Sequence, residues 1–124
     1  MNTMEIAQEL VAGCRESREA ANIDRLYAED AVSIEAVDMG NGRESVGREA
    51  IHGKHAWFAS AFEEVSGDVS DPMPHGDDRF AVIFDMQMKS RETGKTERMR
   101  DIGVYYVKDG KIAREEFFYP TDTD

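Results

Sequence analysis

Two of the three histidines, His52 and His55, stand three residues apart in REAIHGKHAW. Imidazoles titrate near neutral pH, so such a pair suggests metal ligation, proton transfer or simple surface polarity. Metal binding fits poorly. Helical ligand pairs usually appear as H-x-x-x-H or E-x-x-H with further ligands at matched spacing. The single cysteine, Cys14, supplies no thiolate cluster, so no metal and no other cofactor is expected. The carboxylates are more informative. In AREEFFY, strand alternation groups Glu115 with Ala113, Phe117 and Tyr119, and Glu116 with Ile112, Arg114 and Phe118. One glutamate therefore faces inward and the other outward, and the alternation leaves open which. Asp101 shares a face with Met99, Gly103 and Tyr105, a lone carboxylate among apolar neighbours. In such surroundings the charged form is poorly solvated, which raises basicity and suits acid–base work.

The elements that position these groups follow from periodicity. Residues 4–20 have helical composition, with Ile6, Leu10 and Cys14 on one stripe. Asn22 is placed to cap a short second helix carrying Ile23, Leu26 and Tyr27. AVSIEAV (31–37) reads as a strand, and DMGNGRESVG (38–47) as a loop. A third helix is expected over 48–65, its face formed by Ile51, His55, Phe58, Phe62 and Val65. That stripe turns His55 inward and leaves His52 at the rim. After a weak or edge strand in 67–78, with His75 in a loop, RFAVIFDMQMKS (79–90) alternates. Phe80, Val82, Phe84, Met86 and Met88 share one face. Strands over 96–107 and 112–119 follow, joined by tight turns. Helices before consecutive strands predict an α+β domain, a curved and mainly antiparallel sheet with helices on one face.

The 124 residues suit one domain, expected over 1–120 with an acidic tail at 121–124. A formal charge of -11 disfavours nucleic acid and anionic membranes as partners. A lone cysteine fits a reducing cytoplasm, MNTMEIAQEL lacks the apolar core of a secretory signal, and no apolar run spans a bilayer. Gly40, Gly42 and Gly47 fit no dinucleotide or phosphate loop, and no G-x-S-x-G elbow occurs. Cys14, on an apolar helix stripe, reads as packing.

The order YAEDAVSIE, GREAI leading into an aromatic helix, and a hairpin series ending DGKIAREEFFY resembles the SnoaL-like group. That group lies within the nuclear-transport-factor-2-like, or ketosteroid-isomerase-like, superfamily. The resemblance spans about residues 4–120 and is specific for a cone-shaped, cystatin-like fold, not for one activity. It implies an apolar pocket for a small hydrophobic molecule and a homodimer packed sheet on sheet. Laid on this chain, the pocket takes Val82, Phe84, Met86, Met88, Asp101, Gly103, Tyr105, Glu115, Phe117 and Tyr119, closed by Phe58 and Phe62.

The resemblance also assigns roles. Glu35 falls where related isomerases hold a proton-shuttling carboxylate, although alternation does not fix its direction. Glu115 becomes the inward glutamate. Glu35, His55, Asp101 and Glu115 are thus the catalytic candidates, with Tyr105 or Tyr119 as an oxygen-polarising donor. Three carboxylates in one cavity cannot all ionise cheaply, so one has a raised pKa or is balanced by a cation such as His55 or Arg100. His55 either meets Glu35 or Glu115 or only fills space. The chain departs from ketosteroid isomerase where that enzyme keeps its enolate-binding tyrosine and protonated aspartate: Cys14 and Gly103 stand there. Steroid isomerisation is not expected. A cofactor-independent isomerase, cyclase or dehydratase is one reading, and a non-catalytic ligand-binding or protein-association domain the other.

Overall fold

The first helix begins because Asn2 and Glu5 satisfy each other's free ends. The Asn2 side chain accepts from the Glu5 backbone N–H (2.8 Å), and the Glu5 carboxylate accepts from that of Asn2 (2.9 Å). This reciprocal cap opens α1 (Thr3–Arg15). In the computed structural model, which describes residues 1–121, α1 does not run on to Ala20. Ser17 adopts φ 57°, and the chain turns into a separate α2 (Glu19–Leu26). Asn22 is therefore no cap. It is buried within α2 and its side-chain amide donates to the Glu9 carbonyl at 3.0 Å. Gly13 makes room for it, since a Cβ there would lie 2.0 Å from the Asn22 amide nitrogen.

The remaining elements are β1 (Tyr27–Ile34), β2 (Glu44–Val46), α3 (Arg48–Ala61), β3 (Phe62–Val69) and β4 (Met73–His75). Three longer strands follow: β5 (Arg79–Ser90), β6 (Thr96–Lys108) and β7 (Lys111–Phe118). Three helices thus pack on a curled seven-stranded sheet ordered β2-β1-β7-β6-β5-β3, with β4 also on β5. Among the described residues only β1–β7 is parallel; the other pairings are antiparallel. The fold is α+β, as the element order implies. Several boundaries differ from expectation. Tyr27 opens β1 instead of ending a helix, Glu35 falls just past that strand, and a short strand interrupts the loop after it. His75 lies in β4 and not in a loop. Phe62 and Val65 belong to β3, not α3. Their spacing suits a helix, but Phe62 pairs with Ser90 and Glu63 with Lys89, so sheet pairing decides. Of the expected tail at 121–124, residues 122–124 lie outside the described residues.

Register arranges the inner face of the sheet in rows. Ser33, Glu115, Tyr105 and Phe80 form one, and Phe117, Gly103 and Val82 the next. Beyond them come Asp101, Phe84 and Val69, then Met99, Met86 and Gly67. The first two rows lie under the helices. Phe80, Val82, Tyr105 and Ile112 form a core with Ile6, Ala7, Leu10, Val11, Ile23, Leu26 and Ile51. The later rows lie at the margin of that core, where Val69 and Phe84 pack against it and Asp101 is half-buried.

Gly13→Ala should destabilise the domain by about 1–3 kcal/mol, because overpacking displaces a buried, hydrogen-bonded amide. In the Asn22→Ala background the added loss should shrink, a coupling that urea denaturation of the four proteins reads directly.

Candidate functional site

Glu115 settles the choice between the two glutamates. Its carboxylate is buried on the inner face, where the Tyr27 hydroxyl donates to Oε1 and the Ser33 hydroxyl to Oε2 at 2.7 Å. Burial raises its pKa, and these two donors act in the opposite direction. Glu116 lies on the outer face, paired with Arg114 at 2.6 Å.

The cation of the site is Lys54, which the sequence reading missed. Its ammonium donates to the Ser33 hydroxyl oxygen and to Glu35 Oε2 (2.7 Å), and sits 4.9 Å from the centre of the Phe117 ring. The Tyr119 hydroxyl donates to Glu35 Oε1 at 3.1 Å. Tyr27, Glu115, Ser33, Lys54, Glu35 and Tyr119 therefore form one continuous chain of hydrogen bonds. A signal for Lys54 was present. At 100° per residue it lies about 60° from Ile51 and about 40° from Phe58, at the edge of the inward stripe.

His55 does not play the expected part. It is exposed and hydrogen-bonds no carboxylate among the described residues. The protein around its ring, followed by the neighbouring Lys54 charge, lowers its pKa. His52 lies nearer other groups: its Nε2 is 2.7 Å from Asp24 Oδ1 on α2. The two histidines do not converge. Among the described residues no group of three or more His, Cys, Asp or Glu side chains gathers to hold a metal.

Asp101 differs from the other carboxylates. It is half-buried and accepts no hydrogen bond from the described residues, and its pKa rises to about 6. Burial is the main cause, with the Glu35 charge adding to it. Two residues along β6, Gly103 leaves a gap that the Tyr105 ring enters. A Cβ at Gly103 would stand 2.9 Å from Tyr105 Cε2 and 3.1 Å from its hydroxyl oxygen. That ring stacks on Phe80 (5.0 Å between centres) and meets Phe117 edge-on (6.2 Å). Tyr105 is only 2% exposed. Its hydroxyl has no partner among the described residues, yet no fully buried polar side-chain atom there lacks one. The Tyr105 hydroxyl is therefore not fully buried. Burial, followed by the charge of Glu115, pushes its pKa well up, so the phenol stays a proton donor.

Two clefts open among the described residues. One, of about 370 Å³, is lined by Cys14, Arg15, Glu64, Gly67, Asp68, Val69 and Met86. The other, of about 180 Å³, lies beside Glu35, Arg43 and Phe117. Phe84 and Phe117 pack partly onto the core, while Met88 is buried and serves packing more than lining. The Phe58 and Phe62 ring centres lie 5.0 Å apart with the planes tilted by 33°, and Phe58 is exposed. The Cys14 thiol is pushed up to about 12, chiefly by burial, which leaves it a small apolar wall and no nucleophile. No helix among the described residues is long and apolar enough to cross a membrane.

Comparison with known proteins agrees with this architecture. A candidate SnoaL-like polyketide cyclase from Mesorhizobium loti is 33% identical, with a TM-score of 0.88 over 96% of this chain and 100% of that one. A candidate isomerase from Bacillus subtilis matches at 22% identity and a TM-score of 0.80, covering 97% and 90% of the two chains. An NTF2-like protein of unknown function from Burkholderia pseudomallei matches at 14% and 0.78, covering 97% and 92%. No functionally curated protein matches the sequence. The family model described as a SnoaL-like domain matches residues 1–119. With that match over nearly its whole length, the chain belongs to the SnoaL-like domain family, a small-molecule-binding fold.

Proposed function

We propose that this domain is a cofactor-independent proton-transfer enzyme of isomerase, cyclase or dehydratase type, acting on a small hydrophobic carbonyl compound. The observation that carries this reading is the half-buried Asp101 carboxyl, unpartnered among the described residues, on the same face as the Tyr105 hydroxyl. With a pKa of about 6, Asp101 is mostly ionised at neutral pH, yet more basic than an ordinary aspartate. It removes a proton from the carbon beside the carbonyl. The Tyr105 hydroxyl donates to the oxygen as negative charge develops there. Asp101 then returns the proton to another carbon or to a departing oxygen. Tyr105, held over Gly103, does the work that the missing donors at positions 14 and 103 do in ketosteroid isomerase. The likeness to a candidate cyclase supports this type of chemistry.

The other polar groups act on this pair from behind. Glu35 raises Asp101's basicity through its charge. Lys54 fixes Glu35, and Glu115 anchors Ser33, so both are positioning residues. This revises the expectation that Glu35 or Glu115 is the base with His55 as partner: each glutamate already accepts two hydrogen bonds. The protein acts as a homodimer. Ile102 and Phe118 are directly paired on the outer face and about half-exposed (43% and 52%), an apolar surface that a second copy covers. In sedimentation, Ile102→Asp should shift a dimer to monomer.

Asp101→Asn should slow deuterium exchange at the α-carbon of aryl methyl ketones by about 10²–10⁴-fold. Tyr105→Phe should slow it by about 10²–10³-fold. The wild-type rate should rise with pH through about 6. An undiminished rate in Asp101→Asn would sink the mechanism. Ketone binding without any exchange by the wild type would favour a purely ligand-binding domain.

The same carboxyl predicts a pH dependence of stability. Its folded pKa of about 6 exceeds the ordinary 3.8. Between those values the unfolded chain ionises first, so the native state loses stability as pH rises and the loss then levels off. Asp101→Asn should gain on the wild type across that window. Urea midpoints at pH 4, 5, 6 and 7 test it, and a constant difference would contradict the assignment.

A further inference from the structure

We propose that Asn41 is a site of spontaneous deamidation, and that the Asp38 carboxylate sets its rate by holding the backbone nitrogen of Gly42. The proposal is independent of the activity proposed above.

The chain has three asparagines, and their surroundings differ. Asn2 caps α1 through its side-chain oxygen and is followed by Thr3. Asn22 is buried, donates to the Glu9 carbonyl and is followed by Ile23. In both, the side chain is engaged and a β-branched residue crowds the next backbone nitrogen. Asn41 instead lies exposed in the loop between β1 and β2, and its side chain hydrogen-bonds nothing among the described residues. The next residue, Gly42, stands at φ 82°, a backbone conformation that strains any side chain, and a Cβ there would meet open space. No side chain therefore screens its nitrogen.

Ring closure joins the Gly42 nitrogen to Asn41 Cγ. The Cγ–Nδ2 bond breaks, and Nδ2 leaves as ammonia with the proton that the Gly42 nitrogen gives up. Water then opens the five-membered imide at either carbonyl. One opening leaves aspartate; the other leaves isoaspartate, with the backbone running through the former side chain. The chain gains a carboxylate, and water is the only co-reactant.

Asp38 stands in the way of the first step. Its Oδ1 accepts the Gly42 N–H at 2.8 Å and the Gly40 N–H at 2.8 Å. Attack requires that the Gly42 N–H leave this acceptor and lose its proton. The same two donors hold the Asp38 carboxyl below its ordinary range, which makes it a poor base for that proton. Asp38 is therefore a brake. Conversion also has a structural consequence. The Glu35 N–H donates to the Arg43 carbonyl at 2.8 Å, and Arg43 Nε donates to the Glu35 carbonyl at 3.0 Å. Isoaspartate lengthens the backbone just before this pair and so loosens it.

The test holds the intact protein in warm, mildly alkaline buffer and follows each asparagine by peptide mass spectrometry. Asn41 should convert while Asn2 and Asn22 persist. Asp38→Ala should speed conversion about fivefold or more, the effect of losing a hydrogen bond to a charged acceptor. Asp38→Asn keeps an oxygen acceptor without the charge, so its rate should fall between the two. Asn41→Gln in the Asp38→Ala background should remove the gain. An Asn41 that stays intact in the wild type and in both Asp38 variants would overturn the site. Conversion unchanged or slowed in Asp38→Ala and Asp38→Asn would overturn the brake. In converted protein the Glu35 amide should exchange with deuterium faster than in fresh protein, and equal protection would overturn the link to Glu35.

Discussion

The buried Glu115 carboxylate is the constraint around which the other groups arrange themselves. A carboxylate taken out of water is costly unless its oxygens find donors. Both donors come from β1, at opposite ends of that strand: Tyr27 and Ser33. Satisfying Glu115 therefore fixes β1 against β7 in the one parallel pairing of the sheet. It also fixes the direction of the Ser33 hydroxyl. With its single proton given to Glu115, that oxygen can only accept, and Lys54 is the donor it receives from. Lys54 in turn holds Glu35, and Glu35's charge reaches Asp101. The least accessible carboxylate thereby shapes the surroundings of the most available one.

This ordering explains why three acidic groups coexist on one face. Glu115 is surrounded by donors, Glu35 is paired with an ammonium, and Asp101 has neither. Only the last shows a pKa moved toward neutrality without compensating partners.

Much of the architecture was legible because it rests on period-two alternation. β5, β6 and β7 present the expected inner-face residues, and Asp101 stands out by its neighbours in sequence, whereas Glu115 was separable from Glu116 only through the family resemblance. Helix ends were less legible. The face made by Ile51, Phe58, Phe62 and Val65 suits a helix well, yet pairing with β5, more than twenty residues away, converts its second half to strand. Asn22 reads as a cap locally, but its amide is used for contact between helices. Lys54 was hidden for a different reason. Its place beside the inward stripe of the helix was readable, but its partners were not, because Ser33 and Glu35 lie outside that helix. His55 attracted attention through residue type, and its neighbour has the contacts.

The parallel β1–β7 pairing has a consequence for how the protein comes to exist. Ser33 and Glu115 are 82 residues apart, and Tyr27 and Glu115 are 88. Contacts at such separation form late, since the chain between them must first be ordered. The meander of β5, β6 and β7 can assemble from neighbouring hairpins, whereas β1 must wait for β7. Until that strand docks, Glu115 has no donors, Ser33 has no orientation, and Lys54 has only part of its anchorage. The proton-handling groups are thus organised by the closing contact of the sheet, so a chain that has acquired most of its secondary structure still lacks an ordered site.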